Sequence, residues 1–174
     1  LDPLSFFGQV IDGAIKIFRH DHVGGLAVLD RLIAQDPNFP EGYHIKGYSQ
    51  LLRRDHAAAL ETLEKAVSTS RGAFWPTAKM GCALVGLDRT DEAREVLAGL
   101  ERRFESDTTC PSAIATLHLH LGDRAAFYRW MDRALDDREP FCVALKVERL
   151  WESAWGDAEF QDLVRRVGLR PDDS

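Results

Sequence analysis

An all-α repeat fold is predicted for this chain by three observations: a 34-residue internal period, helical spacing of the apolar residues inside each period, and no sustained two-residue alternation that would mark a strand. Rows of 34 beginning at Phe6, Pro40, Phe74 and Thr108 place Gly13, Gly47, Gly81 and Ala115 in one column, all of them small. Further along the rows, one column reads Gly25, Ala59, Ala93 and Phe127. The next reads Leu29, Leu63, Leu97 and Met131, and a third reads Leu32, Ala66, Leu100 and Ala134. No gap has to be inserted between Phe6 and residue 141, so the period belongs to the chain and not to the alignment.

Each row predicts two helices. In row one (6–39) a first helix runs from Phe6 to the polar turn His20-Asp21-His22, and a second carries Gly25, Leu29 and Leu32 before Asp36-Pro37-Asn38 closes the row. In row two (40–73) Pro40 sits at a helix opening, where a missing N–H costs nothing, and Arg54-Asp55-His56 is the turn. Ala59, Leu60, Leu63, Ala66 and Val67 then form an apolar stripe with Glu61, Glu64 and Lys65 off it. Row three (74–107) repeats the plan with Pro76, a turn at Leu87-Asp88-Arg89-Thr90, and Ala93, Val96, Leu97 and Leu100. Row four (108–141) does so with Pro111 and Gly122-Asp123-Arg124. Residues 142–174 are expected to be capping helices and a tail of the same domain. Within them 157–167 reads as the last helix, with Phe160, Leu163, Val164 and Val167 on one face, and 170–174 as a frayed end. A helix pair cannot bury both apolar faces alone, so the rows must stack and the open end must be covered.

Composition narrows the function. The chain has 174 residues, 45% of them apolar and 29% charged, with a net charge of -6; this is a globular balance and disfavours a sequence-independent phosphate binder. No run reaches the roughly 18 apolar residues of a membrane span, and Leu1-Asp2-Pro3-Leu4-Ser5-Phe6 has no signal-peptide character, so a cytoplasmic protein with no membrane partner is expected. A start at Leu1 in place of Met suits a piece of something longer. Cys82, Cys110 and Cys142 are too few and too far apart for a disulfide framework and are expected to be reduced thiols.

Chemistry-bearing patterns are sparse. His118 and His120 are two residues apart on one helix and point to different faces, whereas a helical zinc pair needs i, i+4 spacing. His20 and His22 flank Asp21 in a turn without a third ligand at motif spacing, and Cys82 sits in an apolar helix as a small hydrophobe. The chain lacks Gly-x-Ser-x-Gly, Gly-x-Gly-x-x-Gly and Walker-type motifs. Arg53-Arg54, Arg102-Arg103 and Arg165-Arg166 lie near helix ends among acids and build no single-signed stripe, so nucleic acid is not an expected partner. No enzyme activity, metal or cofactor is expected.

The rows, with Gly13, Gly25, Leu29 and Pro37, then Gly47, Ala59, Leu63 and Ala66, then Gly81, Ala93 and Leu97, resemble the tetratricopeptide repeat. Tyr43 stands where that repeat usually has an aromatic, Gln9, Thr77 and Pro111 replace it in the other rows, and Phe127 replaces a small residue in row four. The resemblance implies a right-handed superhelical solenoid of about four helix pairs plus cap. It also implies a concave groove for an extended or helical peptide. Carried over row by row, the groove residues would be Phe7, Val10, Ala14 and Ile17; Glu41, His44, Tyr48 and Leu51; Trp75, Ala78, Cys82 and Val85; and Thr109, Ser112, Thr116 and Leu119. The Lys and Asn set that clamps chaperone carboxylate tails in some members is missing.

From Leu121-Gly122-Asp123-Arg124 through Trp130-Met131-Asp132-Arg133-Ala134 and Leu145-Lys146-Val147 to Phe160–Leu169, the chain is similar to the C-terminal segment of bacterial tetratricopeptide proteins fused to regulatory or signalling domains. After Lys-Val the usual Asp-Pro and Arg-Phe are replaced by Glu148, Arg149, Leu150 and Trp151. The expected function is a non-catalytic scaffold that binds a protein, a peptide or a sister domain of a longer regulator through the groove. The alternative is homodimerisation through the apolar row-one face around Phe6 and Phe7.

Overall fold

A computed structural model describes residues 3–106 and 110–170. Among them every regular element is helical. The order is α1 (Pro3–Phe18), α2 (His22–Gln35), α3 (Pro40–Leu52), α4 (His56–Thr69), α5 (Phe74–Gly86), α6 (Thr90–Ser106), α7 (Pro111–His120) and α8 (Arg124–Asp136). Two 3-10 segments follow, η1 (Pro140–Ala144) and η2 (Arg149–Ala154), and then α9 (Ala158–Arg166). Each helix packs mainly on its neighbours in sequence, and α3 on α5 and α5 on α7 add contacts between alternate helices.

The second helices begin at His22, His56, Thr90 and Arg124, 34 residues apart each time. The cause is local. The residue after each first helix's C-cap, His20, Arg54, Asp88 or Gly122, has a positive φ of 66°, 59°, 59° or 86°. Around each, the same two hydrogen bonds close the helix. In row two Asp55 N–H donates to the Gln50 carbonyl at 3.0 Å and Arg54 N–H to Leu51 at 2.9 Å, and the counterparts recur at Asp21, Arg89 and Asp123. This is the left-handed cap that absorbs orphan carbonyls at a helix end. The next residue then starts the second helix: Asp21 accepts from Gly24 N–H, Asp55 from Ala58 N–H and Asp123 from Ala126 N–H. The histidines expected inside turns, His22 and His56, are therefore the first residues of α2 and α4.

The columns of the sequence meet as surfaces. Gly47 lies so close to Leu63 that a Cβ would stand 2.5 Å from its Cγ, and a Cβ on Gly13 would stand 3.1 Å from Leu29. In rows one and two the small column thus receives the leucine of the same row, whereas Gly81 of row three receives Leu117 of α7. Leu29, Leu32, Leu63, Ala66, Leu100, Met131 and Ala134 are essentially fully buried.

Phe127 breaks the small column for a reason the cap supplies. It is wholly buried, stacks parallel to Phe160 of α9 at 6.4 Å, and lies the same distance from Trp151 of η2. The cap is one α-helix preceded by two 3-10 segments, where capping helices are expected for 142–174. Pro140 opens η1 without an N–H to give, and the short runs before α9 carry no helical stripe long enough for an α-helix.

Arg138 is a further non-glycine left-handed position, with φ 53°, exposed after α8 between the hydrogen bonds Glu139 N–H to Ala134 at 2.8 Å and Arg138 N–H to Leu135 at 3.0 Å. A side chain in this region costs about 1–2 kcal/mol that glycine avoids. Arg138→Gly is expected to raise unfolding stability by about 1 kcal/mol, read as a higher urea midpoint at unchanged slope.

Candidate functional site

The face built by the first helices is where the repeat resemblance puts the binding residues, and the chain's own residues 139–151 lie across it. Trp151 is wholly buried. Its indole N–H donates to Thr116 Oγ1 of α7 at 2.8 Å, and its ring centroid lies 6.5 Å from Trp75 of α5 and 5.8 Å from Phe141 of η1. Phe141 packs on Trp75 at 4.2 Å. Just before η1, Glu139 accepts from the Ser112 backbone N–H at 2.9 Å and from the Ser112 hydroxyl. Past Trp75 the segment reaches α3. Lys79 Nζ, fully buried, sits 4.0 Å over the Tyr48 ring and 5.1 Å from that of Trp75, and the Glu148 charge favours its protonated form against burial. Glu148 is itself held by the Leu150 N–H at 3.0 Å. Arg149 extends to row one, where its Nη1 is 3.3 Å from His20 Nε2.

The candidate groove residues divide accordingly. Val10, Ile17, Tyr48, Leu51, Ala78, Cys82, Ser112, Thr116 and Leu119 are buried. Ala14, Trp75 and Val85 are half-buried, and Phe7 and Glu41 are exposed. Thr109 lies outside the described residues. His44 is half-buried, with a sealed Nε2 that has no hydrogen-bond partner among the described residues. Beside it an open hollow of about 400 Å³ remains between the starts of α3 and α5, lined in part by Glu41, His44, Trp75 and Cys110. Rows three and four, from Trp75 to Thr116, are covered by the C-terminal segment. An incoming peptide would have to displace Trp151 from them.

Titration follows the burial. The His44 imidazole is held well below the ordinary histidine range by burial, and the Lys79 charge adds to the effect. His120, whose Nε2 lies 3.2 Å from the Leu150 carbonyl, is also lowered, mainly by burial, with the carbonyl opposing and His56 reinforcing. Burial pushes the Cys82 thiol far up, and it pushes Cys110 and Cys142 up to about 11 with help from Glu139. None of the three is an activated thiolate. His118, at the other register of α7, bonds Glu101 Oε1 at 3.0 Å and faces Asp123, so the two α7 histidines serve different surroundings.

No protein-family model matches the chain, and no curated protein matches it.

Of the residues that close this face, Glu148 and Trp151 fall where the sequence departs from the usual continuation after Lys146-Val147, whereas Glu139 and Phe141 precede it. A large aromatic at Trp151, in a segment too short for a helix and downstream of the oversized Phe127, was the available signal.

Two outcomes are expected from this packing. Trp151→Ala removes a buried indole and takes the donor from the buried Thr116 Oγ1, so a loss of about 3–5 kcal/mol in chemical denaturation is expected, with helicity retained at low denaturant. The pH dependence has a definite sign. His44 and His120 stay neutral in the folded chain while the unfolded chain protonates them below about 6.5, so the unfolded state binds more protons there. Stability should be flat above pH 7 and fall below about pH 6.5 by up to about 1.4 kcal/mol per pH unit per histidine. His120→Gln should flatten that fall in urea melts taken at pH 7 and pH 5.

Proposed function

We propose that the chain is a non-catalytic helical-repeat scaffold for protein–protein association whose free contact face is α1, and that the partner on that face is a second copy of the chain. One observation carries this reading. Phe7, Ile11, Ile15 and Phe18 follow one another at i, i+4, i+8 and i+11 along α1 and are 58%, 45%, 50% and 46% exposed. Counterparts of Ile15 one, two and three rows later, Ser49, Ala83 and Leu117, are all completely buried, and of those of Ile11, Lys79 and Ala113 are buried and Ile45 half-buried. The later first helices hide this register against the preceding helix pair; among the described residues nothing covers it on α1.

Self-association is favoured by the order of the stripe. Phe-Ile-Ile-Phe reads the same in both directions. Two α1 helices laid antiparallel about a two-fold axis near residue 12 would set Phe7 of one copy against Phe18 of the other, and Ile11 against Ile15. The charged residues of α1 within its described stretch, Asp12 and Lys16, pair with each other at 2.5 Å, so each Asp12 near such an axis has its charge offset by the Lys16 of its own copy. Gly8 has nothing within 4 Å of where a Cβ would be, which permits close approach. The resemblance of residues 121–169 to the end segment of regulatory repeat proteins supports a signalling or transcriptional setting for the dimer.

Sedimentation velocity across a concentration series tests this. The chain is expected to be dimeric, and Ile11→Glu with Ile15→Glu should weaken association about 100-fold or more while leaving circular dichroism unchanged. A monomer at all concentrations, or a dimer indifferent to the double substitution, would remove α1 as the contact face.

A further inference from the structure

A second feature of the molecule is independent of α1. Between the α3–α4 turn, the end of α7 and η2 lies an open cleft of about 610 Å³. Its polar lining comes from separate elements: Arg54 from the turn, His56 from the start of α4, His120 from the end of α7, and Arg149, Glu152 and Ser153 from η2. Leu51, Leu52, Leu119 and Leu150 line the remainder. A smaller cavity of about 100 Å³ adjoins it across Arg149 and Glu152 and adds His20 and His22.

The charge balance of this lining runs opposite to that of the protein. The chain carries -6 overall, yet Glu152 is the one acid lining the cleft. That acid is committed: Arg149 reaches it with Nε at 3.2 Å and Nη2 at 2.9 Å. Arg54 has no hydrogen bond or ion pair from its side chain among the described residues, and its left-handed backbone, with φ 59°, is fixed by the cap that ends α3. His56 rests against Gly86, and its Nδ1 is buried without a hydrogen-bond partner. One uncompensated guanidinium and an imidazole whose Nδ1 is sealed against Gly86, leaving Nε2 as its open ring nitrogen, therefore share a cleft with apolar walls. Guanidinium and imidazole N–H groups in such surroundings are the donors that oxyanions accept from.

We propose that this cleft binds the oxyanion group, phosphate or carboxylate, of a small organic ligand, with Arg54 as the principal cation and His56 as a hydrogen-bonding partner. Arg149, locked by Glu152, forms the wall towards His20 and His22. The leucines accept the apolar part of the ligand. Nearby cations already disfavour protonation here: His22 is lowered by burial first and then by Arg53, His20 and Arg149, and His120 feels His56. An anion in the cleft reverses that sign.

The test is a titration of the full chain with inorganic phosphate and, separately, with succinate, followed through the imidazole carbon-bound protons of the histidines by NMR at constant pH and ionic strength. Saturable shifts of His56 and His120 are expected with at least one of the two anions, and the anion that saturates names the ligand class. Arg54→Gln should weaken the apparent dissociation constant about tenfold or more. Arg71→Gln, a left-handed arginine at the far end of α4, should not change it. Linear, non-saturating shifts with both anions, or an Arg54→Gln variant that binds like the unaltered chain, would overturn the proposal. Neither result bears on the oligomeric state, so failure here is distinct from failure of the α1 reading.

Discussion

The Trp151 indole is the contact on which the rest of the arrangement turns. It bonds Thr116 on α7 and touches the aromatic rings of Trp75, Phe127 and Phe141, so a single side chain ties the C-terminal segment to α5, α7, α8 and η1. Stacked helix pairs leave a face of first helices that needs cover if it is apolar. Here the cover is intramolecular. Because Trp151 fills rows three and four, the groove candidates Ala78, Cys82, Ser112 and Thr116 are buried there while Phe7 and Glu41 stay exposed, and α1 carries a run of four exposed large apolar side chains.

Polar groups show what this closure demands. Lys79 is buried between two aromatic faces with the Glu148 charge acting on it, the Tyr48 hydroxyl interacts with Glu148 and the Arg149 backbone, and His44 Nε2 is sealed without a hydrogen-bond partner among the described residues. Unpaired buried donors and acceptors cost free energy, and they occur at both ends of the segment, at His44 Nε2 beside α3 and at Trp155 Nε1 and Gln161 Oε1 in the cap. The hollow beside His44 and the cleft beside Arg54 lie towards the α3 end.

Much of the helical layout was legible because its cause is local and repeated. Left-handed caps at His20, Arg54, Asp88 and Gly122 and N-caps at Asp21, Asp55 and Asp123 leave a polar mark every 34 residues, and the Gly47–Leu63 type of contact leaves a small column beside a leucine column. The path of residues 139–155 was not legible. Its contacts, Trp151 to Thr116 and Arg149 to His20, join residues 35 and 129 positions apart, and no period links them. Tyr48, Cys82 and Thr116 therefore read as groove residues from their row positions, although a distant tryptophan and glutamate decide their burial. The α1 stripe was half legible: the apolar start of row one was visible, but its exposure depends on what packs there.

The most direct test of this account is hydrogen exchange measured residue by residue, comparing the Trp151 indole N–H and the amides of 141–154 with those of α5 and α7. The account predicts that the indole proton and the η2 amides exchange as slowly as the amides of the two helices they cover, because they open only with them. Rapid exchange of Trp151 and η2 while α5 and α7 stay protected would contradict it, and would return the first-helix face to a partner.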